Sequence, residues 1–112
     1  MLQRSCPIAT LYCGTSAAAS LVGTTGAAGK VDFRNFSGGQ VYVPAGSSIT
    51  SLTWYGSHDG VTFLPVQDGA GNAVVSTVAA GYSCLIPASC FACAFLLAVG
   101  NAAGTINLSI KT

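Results

Sequence analysis

The residues of this chain with intrinsic reactivity are few: five cysteines, one histidine and three acidic groups. The acidic groups are Asp32, Asp59 and Asp68, and there is no glutamate. A hydrolase needs a base held by an orienting carboxylate, with a nucleophile in hydrogen-bond reach and walls that exclude water. His58 stands beside Asp59, but Ser57-His58-Asp59-Gly60 reads as the tip of a hairpin, where a side chain is solvated. A glycosidase pair drawn from three scattered aspartates has equally little support. We therefore expect no catalytic residue and no enzyme activity.

The cysteines are Cys6, Cys13, Cys84, Cys90 and Cys93. Cys90 and Cys93 have the two-residue spacing of a zinc knuckle, which needs two further ligands; Cys84, Cys6 and Cys13 are the available completions. Phe91 and Ala92 between them offer no glycine for a tight turn, and on a strand an offset of three would place the sulfurs on opposite faces. We expect no metal and no cofactor, with thiols packed as small apolar groups. No glycine-rich segment runs into a lysine-bearing helix, so nothing suggests a phosphate cradle. Among the aromatics, adjacent Trp54 and Tyr55 must face opposite sides of a strand, Trp54 toward the core. Trp54, Tyr55, Tyr42 and Tyr82 are candidate stacking surfaces, with core packing the alternative for Trp54.

The elements that would position these residues are strands. From residue 31 onward, apolar and polar residues alternate with period two, broken by glycine, proline and Asx turns. Strand signals fall at 31–34, 40–43, 49–55, 61–66, 73–78, 82–86, 91–99 and 106–110, with no helix signal. The Asp59-Gly60 pair between two β-rich runs gives the firmest hairpin. Residues 91–99 are apolar on both faces, the mark of a central strand, and 101–104 suit a loop ending in a left-handed glycine. Residues 15–29 are almost all Ala, Gly, Ser and Thr and bury little by themselves. We read 1–29 as an N-terminal arm, with one short strand near 8–12, and 30–112 as the domain. The expected fold is all-β, an antiparallel sandwich or jelly roll of about seven or eight short strands.

Charge is the most informative part of the composition. Charged residues make up 6% of the chain, against roughly 25% in ordinary soluble domains. No Asp, Glu, Lys or Arg occurs from Gly69 to Ile110. A neutral surface lacks the repulsion that keeps free proteins apart and is cheap to desolvate when a partner covers it. With only Arg4, Lys30, Arg34 and Lys111 as cations, no patch could neutralise several phosphates, so nucleic acid is not an expected partner. The start of the chain imitates a secretory signal poorly, its apolar run being interrupted at Cys13-Gly14-Thr15. The most apolar stretch, 84–99, is too short for a membrane span and contains Pro87.

Residues 49–112 carry a sequence rhythm with a counterpart. A strand, the Ser57–Pro65 hairpin of form Ser-x-Asp-Gly-x-Thr-Phe-x-Pro, a glycine-rich turn, the Pro87-Ala-x-x-Phe91 step and a last hairpin through Asn101-Ala-Ala-Gly-Thr resemble small virion proteins of tailed bacteriophages. Those are β-sandwich or jelly-roll capsid decoration (cement) proteins and related head or tail components. The resemblance implies a place on the outer face of the phage head after synthesis in the host cytoplasm. It also implies the major capsid protein and further copies of the chain as partners, commonly as a trimer, with no membrane involved. The alternatives are a tail or baseplate β-domain and a carbohydrate-binding module.

Overall fold

The structure is a computed structural model that describes residues 8–34, 38–91 and 93–111, with the side chain of Lys111 left aside. Arg4 and Cys6 lie outside the described residues. The chain is an antiparallel β-sandwich. Its strands are β1 (Ile8–Cys13), β2 (Val31–Asp32), β3 (Gly38–Tyr42), β4 (Ser51–Ser57), β5 (Leu64–Pro65), β6 (Val75–Thr77), β7 (Ser83–Leu85), β8 (Phe95–Gly100) and β9 (Gly104–Lys111). One sheet has the order β1-β9-β3-β7; the other has β2-β8-β4-β5, with β6 also paired to β4.

Alternation decides what faces inward. Val41 pairs with Leu108 and Cys84 while Tyr42 pairs with Asn107 and Ser83, so one set enters the core and the other stays outside. In the second sheet Leu52, Trp54, Leu96 and Ala98 are fully buried and meet Leu11, Val41, Ile106 and Leu108 of the first. The Trp54 ring lies in that core, and its indole N–H donates to the Ser76 hydroxyl at 3.0 Å, meeting the polar requirement of a buried tryptophan. As its two apolar faces predict, β8 is internal, between β2 and β4.

Four local expectations are corrected. Gly38 and Gly39, read as a break, belong to β3. Residues 61–63 lie in a loop, leaving β5 only two residues long, because Asp59 holds their backbone in a turn. Gly104 opens β9 without a left-handed backbone; it leaves room for Ile49, whose Cδ1 lies 3.2 Å from where a Cβ would stand. Residues 88–90 form a 3₁₀ turn, and the strand expected from 91 begins only at Phe95.

The segment read as an arm is, from residue 8 to 29, folded into the body. β1 pairs along its length with β9, burying Leu11 and Cys13. A helix that the sequence does not signal, α1 (Ala17–Val22), follows and packs against β8. Ser16 caps its start, accepting from the Ala19 N–H at 3.1 Å. Gly23, with φ of 69°, ends it by donating its N–H to the Ser20 carbonyl, in the backbone region glycine enters most readily. The small residues are needed for contact. A Cβ on Gly29 would collide with the Ser20 and Leu21 carbonyl oxygens, and one on Gly14 would lie 2.8 Å from the Ala19 Cβ. The buried Ser20 hydroxyl accepts from the Gly14 N–H at 2.8 Å and fastens the helix to the end of β1.

Gly29→Ala should therefore destabilise the fold by about 1–3 kcal/mol through overpacking. Gly69→Ala, where a Cβ meets nothing within 4 Å, should change stability by less than about 0.5 kcal/mol. Urea denaturation of the two variants checks this; equal effects would refute the close-packing account.

Candidate interaction surface

The reactive residues fall in three places. At the tip after β4, the Asp59 Oδ1 accepts from the backbone N–H of Val61 (2.9 Å) and Thr62 (3.0 Å) and from the Ser57 hydroxyl (2.8 Å). Ser57 Oγ in turn accepts from the Asp59 and Gly60 N–H groups. These bonds, the backbone ones first, hold the Asp59 carboxyl well below the usual carboxylate range. Gly60 has φ of 77°, the left-handed turn residue expected there. Asp59 is thus occupied as a turn clamp and forms no hydrogen bond to His58, which is exposed. His58 lines a shallow groove of about 360 Å³ with Thr62, Leu64, Val66 and Cys93.

Cys93 and His58 share that groove, but burial raises the Cys93 thiol above its ordinary range, away from the thiolate a nucleophile needs. Burial pushes Cys13 and Cys90 up to about 12. The placement of the Cys90 and Cys93 pair also corrects the sequence reading. They sit at a turn, with the Cys93 N–H donating to the Cys90 carbonyl at 3.1 Å, rather than on opposite faces of a strand. Among the described residues no three His, Cys, Asp or Glu side chains converge on a point that could hold a metal. No helix among them is long and apolar enough to cross a membrane.

The second place is a corner of charge. Lys30, Asp32 and Arg34 flank β2, and Phe95 pairs with Asp32. Arg34 grips Asp32 through two bonds of 3.0 and 2.7 Å, which lower the Asp32 carboxyl to about 2. The Arg34 and Lys30 cations lie 5.0 and 5.6 Å from the Phe95 ring centre, within cation–π range. Lys30 Nζ also donates to the Gly60 carbonyl at 2.6 Å, tying the hairpin tip to β2. These charges are committed to one another and to the turn.

The third place is the outward face of the β1-β9-β3-β7 sheet, whose two middle rows carry no charge. Two rows cross it: Leu85, Gln40, Ser109 and Ile8, then Ser83, Tyr42, Asn107 and Thr10. Gln40 donates to the Ser83 hydroxyl and the Thr10 hydroxyl to Asn107 Oδ1, so the polar groups are tethered across strands. Leu85 is 72% exposed and Ile8 76%, at opposite margins. Between Tyr42 and Leu85 lies a groove of about 300 Å³, floored by Gly39 and walled by Gln40 and Ser109.

Of the aromatics named from sequence, Trp54 is unavailable to a ligand, Tyr55 is half-buried, and Tyr42 and Tyr82 are exposed. Leu85 was not singled out, although its place two residues after Ser83 on an alternating strand puts it on the same face. No family model, curated protein or solved structure matches the chain.

The clamp at Asp59 has a pH signature. Because the folded carboxyl is depressed, its stabilising contribution is fully present above the unfolded value of about 3.9 and is lost as pH falls through the folded value. Asp59→Asn should lower the melting temperature at pH 7, and the gap from the parent should narrow as pH drops from about 4 toward 2. A gap independent of pH, measured by thermal denaturation across that range, would contradict the charge-based clamp.

Proposed function

We propose that this chain is a virion structural protein, a capsid decoration or cement protein that stabilises a phage head by bridging major capsid subunits. The observation that carries the reading is the pair of uncharged rows on the outward sheet face, polar groups tethered and Leu85, Tyr42 and Ile8 exposed. Such rows cost little to desolvate and present no charge to select a dissolved ionic ligand. Multivalent attachment would convert individually weak contacts into a durable shell. The sequence rhythm shared with phage decoration proteins points the same way, and self-association fits the neutral surface. A tail or baseplate position uses the same chemistry; electron microscopy of labelled particles separates it from the head.

A second reading has one observation of its own. Tyr42 beside Gln40 and Ser109 in a shallow groove offers a platform for a neutral glycan, the aromatic stacking and the amide and hydroxyl orienting. A glycan array with the parent chain and Tyr42→Ala tests it; binding that depends on Tyr42 would favour it over the capsid.

For the leading reading, purified protein is mixed with capsids lacking it, and bound protein is followed by sedimentation along with the temperature of genome release. The parent should bind and raise that temperature. Tyr42→Lys, which places a charge in the face, should weaken binding by at least about tenfold. Absence of binding and of any gain in head stability would overturn the proposal.

A further inference from the structure

The borders of the two sheets are treated unequally. β1 is covered, since Tyr12 N–H donates to Ala28 O at 2.8 Å and Ala28 N–H to Thr10 O at 3.2 Å. β2 is flanked by Lys30, Asp32 and Arg34, charges of the kind that deter strand addition. β5 is two residues long and contains Pro65, a residue that also ends ladders. β7 has none of these guards. Its sequence from Tyr82 to Ile86 contains no charge and no proline.

The hydrogen-bond alternation shows which groups β7 leaves open. Val43 N–H donates to Tyr82 O and Ile86 N–H to Gly39 O, so residues 82, 84 and 86 bond inward to β3. In an antiparallel ladder the intervening residues turn their N–H and C=O the other way. Those residues are Ser83 and Leu85, and no described residue bonds their outward backbone groups. The rim beside them is apolar, with Tyr82 and Leu85 71% and 72% exposed. β6 opens on the same flank, where Thr77 and Val78 share a small groove with Tyr82, Ser83 and Cys84, and its Val75 is 53% exposed.

We propose that β7 pairs with β7 of a second copy, antiparallel about a two-fold axis at Cys84, joining the two β1-β9-β3-β7 sheets into one. An antiparallel edge is complementary to itself, and a two-fold contact uses the same patch on both copies. Centring on Cys84 is the register that engages every outward group of the strand. Ser83 of each copy meets Leu85 of the other as a hydrogen-bonded pair, giving four bonds. The Leu85 side chain then lies over Ser83 of the other copy, next to Tyr42, extending the uncharged rows across the junction. With no charge between Gly69 and Ile110, no like charges face each other in this contact. The two Cys84 residues become a non-hydrogen-bonded pair, about 4.5 Å apart at Cα, within the span a disulfide bridges.

The inference deepens the assembly reading above by naming the self-contact. It can fail alone, since a chain that binds capsids but sediments as a monomer loses only this contact.

The test is sedimentation equilibrium of the full chain up to roughly 100 µM, a range suited to interfaces below the standard size. The parent should be a dimer. Leu85→Lys, placing a charge on the edge, and Ser83→Pro, removing an outward N–H that the fold itself does not use, should each raise the dissociation constant at least about tenfold with unchanged circular dichroism. Diamide, which takes up the two protons and two electrons released by a pair of thiols, should give a covalent dimer. Peptide mass spectrometry should map its link to Cys84–Cys84, and Cys84→Ser should lack it. A monomeric or trimeric parent, a dimer indifferent to both variants, or a cross-link at other cysteines would overturn the inference.

Discussion

Trp54, Leu52 and Leu96 from one sheet and Val41, Ile106 and Leu108 from the other meet across the sandwich, and every other feature is arranged around that contact. Burying a large side chain is worth roughly 1.5–3 kcal/mol, so the strands that supply these residues, β3, β4, β8 and β9, have their registers fixed. A one-residue slip in any of them would turn its apolar set to solvent. The outward faces are then defined by default, as the other half of each alternation.

A chain with so little charge must hold its turns by other means, and it uses short polar side chains aimed at backbone. Asp59 and Ser57 clamp one hairpin; Asp68 accepts from the Ala70 and Asn72 N–H groups in the next turn. Asn101 accepts from Thr50 and Ser51 between β8 and β9, joining the turn to the start of β4. Each such bond fixes a turn without an ion pair between side chains. Lys30 and Arg34 gather around Phe95 with Asp32, and Lys30 fastens the start of β2 to the β4 turn.

Period-two alternation made the sandwich legible. It placed β8 inside its sheet, turned Trp54 inward and located the turn at Gly60, because these depend on residues a few positions apart. What escaped depends on contacts distant in sequence. The composition of residues 15–29 resembles a loose arm, yet Gly14 and Gly29 are small because a backbone passes against them. The helix is only six residues long, too short to show a repeat. Cys93 was read within a strand from 91, because nothing between Pro87 and Phe95 advertises the 3₁₀ turn. Of the outward face, Tyr42 and Tyr82 were legible as aromatics. Leu85 became meaningful only once β7 was seen to lie at a border.

The pairing of β1 with β9, residue 8 against residue 109, bears on how the molecule comes into being. A ladder joining such distant parts of the chain closes late, since the loop-closure entropy comes before any contact rewards it. As the chain emerges from the ribosome, Leu11 and Cys13 wait for β9, made long after β1. Folding should therefore be slow, with the first sheet completed in a single late step.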